Sequence, residues 1–150
     1  PVRSHGGAFL TAIDTNVLIA AHRAEHADHT RARTAVAKLA EGTDPWGIPV
    51  FCLGEFIRVV THERVFVPPT GSADACTAVE RWLESPTCQV LVPGARYVGL
   101  LAEAIRESGA TGNLVFDAQI VAVCREAGVR SLLTADRDFA RFPGFRVLSL

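Results

Sequence analysis

Four cysteines occur in 150 residues, Cys52, Cys76, Cys88 and Cys124, and no two of them form a CxxC pair. A zinc ribbon and a disulfide framework both lose their usual signature. Apolar neighbours around each cysteine suit buried thiols in a reducing compartment, and a cytoplasmic location is the expectation. Long hydrophobic runs are missing as well. No uninterrupted apolar stretch approaches the ~18 residues of a membrane span. Lysine is nearly absent, with Lys38 alone against fourteen arginines, and the formal net charge is only −1. The chain as a whole is therefore no electrostatic magnet for nucleic acid. Such a partner has to be held by local basic groups or through metal ions. Aromatic residues make up 7% of the chain, and most lie in apolar runs, so no base-stacking platform is nominated.

What is present is the composition of a globular protein, 49% hydrophobic and 21% charged, at a length that suits one domain. No signal-peptide pattern is read in Pro1 to Gly7. Residues 1–8 are expected to be an expression remnant or a disordered start, and 9–150 the folded domain. The first strand is expected over Phe9 to Ile13, followed by a helix over Thr15 to His22. A second helix is expected from an Asp28 N-cap to Glu41, stopped by Gly42. Asp44-Pro45-Trp46-Gly47 reads as a turn into a helix over Pro49 to His62. A further turn at Pro68 to Ser72 precedes a helix over Ala73 to Glu84. Strands are then expected at Gln89 to Val92, Ser131 to Leu133 and Arg146 to Leu148. Helices at Arg96 to Glu107 and Leu114 to Ala127 lie between them. Short apolar strands alternating with helices predict a single α/β domain, a short central parallel sheet flanked by helices on both faces.

Four acids stand out in that frame. Asp14 follows the first strand directly, and Asp136 follows Ser131–Thr134, so parallel adjacent strands bring both to one sheet edge. Either acid alone is an ordinary turn or N-cap residue. Asp117 lies on the helix face that carries Ile120, Val121 and Cys124, where a charge is costly unless it is paired or binds a cation. Asn113, one turn earlier, is positioned to orient it. Glu55 sits in an apolar helix between Phe51 and Val59, with an edge position reaching solvent as the plain alternative. A cluster of four carboxylates repels itself at neutral pH, and divalent cations relieve that repulsion. Oxygen-only ligands favour Mg²⁺, or Mn²⁺, over zinc. The chemistry that follows is in-line phosphodiester hydrolysis, with Asp14, Glu55, Asp117 and Asp136 as catalytic and metal-holding residues.

These motifs resemble the PIN-domain nucleases. The string Ile13-Asp14-Thr15-Asn16 after a starting strand is similar to the opening of that family. The Glu55 helix, the Asn113-x-x-x-Asp117 helix and Thr134-x-Asp136-x-Asp138-Phe139 follow in its order and approximate spacing. The resemblance runs from about Ala12 to Leu150 and is greatest to VapC-type toxins of bacterial toxin–antitoxin pairs. It implies a Mg²⁺- or Mn²⁺-dependent endoribonuclease, commonly a homodimer, silenced by a small antitoxin that inserts an Arg or a helix into the acidic groove. It also implies supporting roles for Thr15, Asn16 and Thr134, and a weaker fifth acid in Asp138.

Rival patterns are present. His22-x-x-Glu25-His26 matches a zinc-protease motif, but it falls where a helix should end and lacks a third ligand. Aspartyl phosphatases want a second Asp where Asn16 stands. Receiver domains want a late lysine, which this chain lacks. A binding module whose acids hold a basic protein and catalyse nothing stays open. Arg23, Arg31, Arg33, Arg137 and Arg141 are phosphate candidates, Arg23 and Arg137 foremost. Phe56, Ile57 and Val60, with Val79, Trp82 and Leu83, are expected to leave an apolar face for a homodimer.

Overall fold

The computed structural model describes residues 10–150, so the expectation for residues 1–8, and Phe9 as a strand residue, lie outside it. Its elements run β1 (Thr11–Ile13), α1 (Thr15–His22), α2 (His29–Glu41), β2 (Trp46–Pro49), α3 (Val50–Val60), α4 (Ser72–Leu83) and β3 (Cys88–Leu91). They continue with α5 (Tyr97–Ser108), α6 (Leu114–Glu126), β4 (Ser131–Leu133), a short 3₁₀ turn (Arg137–Arg141) and β5 (Arg146–Leu148). The five strands form one parallel sheet in the order β3-β2-β1-β4-β5.

The order reverses next to β1, and crevices at such a reversal are where open parallel sheets bind ligands. Register does the rest. Thr11, Ala12 and Ile13 pair with Ser131, Leu132 and Leu133. The ladder then extends by one bond, from the Asp14 N–H to the Leu133 carbonyl at 3.0 Å. The residues that leave the two strands, Asp14 and Thr134, are thereby brought side by side.

The expected turn at Asp44 to Gly47 is wrong in its second half. Trp46 and Gly47 open β2, every residue of which is buried. Pro and Gly signalled a turn, yet Gly47 is there for packing: a Cβ would sit 2.9 Å from the Leu91 side chain on β3. Trp46 fills the core and satisfies its indole N–H by donating to Thr87 Oγ1 at 3.1 Å.

Helix burial follows sequence polarity. The α2 helix is amphipathic and buries Ala32 and Val36. By contrast, α6 buries a continuous run from Ile120 to Cys124, which places it inside the layer. It ends before Gly128, whose φ of 79° is the left-handed conformation that glycine adopts without penalty. Asp28 precedes α2 as expected but makes no side-chain capping bond, pairing with Arg31 instead.

The residues expected to form a dimer face are engaged within the chain. Phe56 and Val60 are fully buried, and Trp82 packs edge-on against Phe56 with ring centroids 4.9 Å apart. Ile57, Val79 and Leu83 pack against the same core. Of the cysteines, Cys52 and Cys124 are buried, whereas Cys88 is half-buried and Cys76 exposed, so burial of all four does not hold. No helix among the described residues is long and apolar enough to cross a membrane.

Candidate active site

Asp14 serves first as the N-cap of α1, its Oδ1 accepting from the Thr15 N–H at 2.8 Å. The same oxygen accepts a weak bond from the Cys52 thiol at 3.7 Å. Its Oδ2 accepts from Thr134 Oγ1 at 2.7 Å and from Asn16 Nδ2 at 3.4 Å. Four donors thus hold a carboxylate that is only 6% exposed. Burial still pushes its pKa above the usual range. The Thr134 and Thr15 bonds act in the opposite sense, and the charges of Glu55 and Asp136 add to the rise.

Thr134 is the hub. Besides donating to Asp14, its hydroxyl accepts from the Asp136 backbone N–H at 2.9 Å and from Asn16 Nδ2 at 3.1 Å. Asn16 in turn accepts from the Ala135 N–H at 3.2 Å, so its amide bridges the loops after β1 and β4. Asp136 caps the 3₁₀ turn, accepting from the Asp138 N–H at 2.8 Å.

Asp117 lies in the first turn of α6, where the helix dipole favours an acid. Its carboxyl is nevertheless pushed up to about 7, chiefly by burial and then by Asp136, Asp14, Asp138 and Glu55. Glu55 reaches the group from α3 with its side chain 47% exposed, and stands 3.8 Å from Arg58. All four expected acids line one cleft of about 300 Å³, together with Thr15, Asn16, Val59 and Phe116. One carboxylate oxygen each of Asp117, Asp136 and Asp138, the last exposed and not lining the cleft, lie within 4.8 Å of one another. Asp138, expected as a weaker fifth acid, therefore belongs to the tightest carboxylate group among the described residues, which Asp14 and Glu55 do not join.

The donor set suits a hard divalent cation. It is all oxygen, self-repelling and at the sheet reversal, and Thr15 Oγ1 is buried beside it without a hydrogen-bond partner.

Other expectations fare differently. Among the described residues no hydrogen bond joins Asn113 to Asp117. Asn113 is exposed at the N-terminus of α6, with helical backbone angles and no side-chain cap. Arg23 is not a free phosphate ligand. Its guanidinium donates to Thr70 Oγ1 and to the Pro68 carbonyl, both at 2.9 Å, pairs with Glu25 at 2.6 Å and lies 4.4 Å over the Phe66 ring. Arg137 is exposed on the 3₁₀ turn beside Asp136. The zinc-protease pattern dissolves: α1 ends at His22, whose Nε2 is 3.0 Å from Thr70 Oγ1, and His26 Nδ1 accepts from the Asp28 N–H. Sequence reasoning overlooked Cys52, one turn before Glu55, and Phe116, next to Asp117. Helical spacing was the signal for the first and adjacency for the second.

Fold and site together define a class, a parallel α/β domain with a carboxylate cluster at the reversal of its sheet. Comparison with known proteins narrows it. The PIN domain family model matches residues 11–144. Ribonuclease VapC43 of Mycobacterium tuberculosis is 40% identical over 134 residues, covering 89% of this chain and 90% of the relative. Ribonuclease VapC25 of the same organism is 37% identical over 134 residues, covering 89% and 94%. In structure, VapBC2 from Rickettsia felis bound to a promoter DNA fragment matches with a TM-score of 0.69. It is 14% identical, with 94% of this chain and 98% of that chain covered. The chain belongs to the PIN domain family, and VapC ribonucleases are among its relatives.

Proposed function

We propose that the chain is a metal-dependent endoribonuclease that acts as the toxin of a toxin–antitoxin pair. The convergence of Asp14, Glu55, Asp117 and Asp136 on one cleft carries this reading, and relatives named as VapC ribonucleases support the substrate class. Those four acids, with Asp138 close to Asp117 and Asp136, are the residues to hold Mg²⁺, or Mn²⁺ in its place. A bound divalent cation supplies charge neutralisation for a phosphodiester under attack and acidifies a bound water.

The chain's own residues supply positioning and the anionic ligands. Thr134, Asn16 and the Thr15 N–H fix both oxygens of Asp14 before substrate arrives. Asp117, whose carboxyl is pushed up to about 7 by burial and the neighbouring acids, gives up its proton to act as a ligand, so protons compete with the cation near neutral pH. Exposed Arg137 beside the cleft is suited to a phosphate contact that positions RNA without reading its sequence.

The same acidic cleft suits a basic segment of an antitoxin, and four free thiols suit the cytoplasm. Homodimerisation, which the resemblance implies, is tested by light scattering, where a strictly monomeric mass removes it. The functional test is incubation of purified protein with RNA and Mg²⁺ or Mn²⁺ beside Asp14→Asn. Cleavage by the parent and none by the variant is expected. No cleavage with either metal leaves a binding module.

A further inference from the structure

A second cleft, of about 430 Å³, opens beside the acid cleft and shares Glu55, Phe116 and Ile120 with it. Its size lies in the range of roughly 300–1,000 Å³ typical of small-ligand pockets. Phe116 is 62% exposed, whereas every other phenylalanine among the described residues is buried or half-buried. A single exposed side chain is ordinary, but this ring lines both the pocket and the acid cleft, where it offers a face for stacking. It directly precedes Asp117 on α6, so the ring stands one residue from the acid cluster.

The facing wall comes from α3. Phe51 lines it, backed by Tyr97 with ring centroids 6.0 Å apart. Gly54 lies on the same wall with open space beside it, since a Cβ there meets nothing within 4 Å. Gln119 adds an amide able to donate and accept, and Arg58 stands at the rim, 65% exposed and only loosely paired with Glu55. Two aromatic walls, one amide and one guanidinium match what an unpaired nucleobase and its phosphate require. A base stacked within a duplex cannot enter such a pocket.

We propose that Phe116 and Phe51, with Gln119, form a subsite holding an unpaired nucleobase next to the scissile phosphodiester, while Arg58 contacts the adjoining phosphate. This rests on the ribonuclease reading above. The enzyme then selects single-stranded or loop RNA by stacking.

The test measures binding of a fluorescein-labelled, mixed-sequence single-stranded oligoribonucleotide to the Asp14→Asn protein in Mg²⁺, which reports binding without cleavage. A fully paired hairpin is measured in parallel. Adding Phe116→Ala is expected to weaken single-strand binding roughly ten-fold, the weight of one base–aromatic stack. Phe116→Trp retains affinity, and its added fluorescence is quenched by the oligonucleotide. Gly54→Leu places a bulky side chain on the other wall with a better helix former, and an unchanged Tm separates its expected loss of affinity from a folding defect. Unchanged affinity in Phe116→Ala and Gly54→Leu, or equal binding of the hairpin, overturns the subsite. So does a change of molar mass in Phe116→Ala without a change of affinity, since the ring is then a contact between protein copies. If the wild-type protein cleaves RNA while these results go against the subsite, only the subsite fails. If the wild-type protein cleaves no RNA, the ribonuclease reading fails and the subsite with it.

Discussion

Thr134 Oγ1 donates to Oδ2 of Asp14 at 2.7 Å and accepts from the backbone N–H of Asp136 at 2.9 Å. One buried hydroxyl thus ties together the acids that end β1 and β4. Thr134→Val removes both bonds, and with them the one accepted from Asn16 Nδ2, while keeping the shape. A lost hydrogen bond to a charged group costs roughly 1.5–3 kcal/mol, and the Asp136 N–H is left without its acceptor. Thermal unfolding is expected to report that loss, and RNA cleavage to drop by about ten-fold or more, each 1.4 kcal/mol of misplaced acid being a factor of ten. Thr134→Ser restores most of both. With the Thr134 bond gone, the Asp14 pKa rises further, so the acid limb of the pH–rate profile moves to higher pH.

Asp117 makes stability fall with rising pH. Its carboxyl titrates at an ordinary 3.8 when unfolded and at about 7 when folded. Between those values the native state keeps a proton that the unfolded chain has lost, so the stabilisation is full below about 4 and gone above about 7. Asp14, also raised, acts in the same direction. Metal-free protein is expected to melt at a lower temperature at pH 8 than at pH 5. Asp117→Asn is expected to flatten that slope and to be the more stable protein at pH 8. A parallel pH dependence in the two proteins contradicts the assignment.

Divalent cations are expected to reverse this trend. At a hundredfold excess over Kd, binding to the native state alone adds about 2.7 kcal/mol. For a domain of this length that raises Tm by roughly 5–10 °C. Differential scanning fluorimetry with Mn²⁺ or Mg²⁺ should give a larger shift at pH 8 than at pH 5.5, where protons compete for the carboxylates. Asp136→Asn should reduce it, and Asp138→Asn should too, given its place in the tight group.

Arg23 is expected to matter for stability and not for RNA. Its guanidinium straps the Pro68–Thr70 segment to the end of α1, at 11% side-chain exposure. Arg23→Ala is expected to cost about 2–3 kcal/mol, as loss of a hydrogen-bonded, largely buried cation does. The salt dependence of RNA binding should be unchanged by it, whereas Arg137→Ala should lower that slope by about one.

The places where the sequence was legible share a cause. Strand ends followed by acids, and an acid on an apolar helix face, are local patterns, and they led to Asp14, Asp136 and Asp117. The last two strands were read at their observed bounds because they are bordered by clear polar breaks. β2 was misread because Pro45 and Gly47 carry turn chemistry, while the strand's reason is contact with Leu91, 44 positions away by number. Arg23 was misassigned for a similar reason, since Pro68 and Thr70, 45 and 47 positions on, decide its fate. The standing of Asp138 depends on a 3₁₀ turn capped by Asp136, which helix and strand periods do not reveal.

The most direct measurement is cleavage of an RNA by EDTA-dialysed protein as Mn²⁺ is titrated back, for wild type and for Asp14→Asn, Glu55→Gln, Asp117→Asn and Asp136→Asn. The expected result is no cleavage without metal and saturable cleavage with it. At least a hundred-fold loss in each variant should follow, in line with the removal of about 2.7 kcal/mol or more of transition-state stabilisation. Cleavage that persists in EDTA, or that survives these substitutions, contradicts a metal-dependent ribonuclease centre built on the four acids.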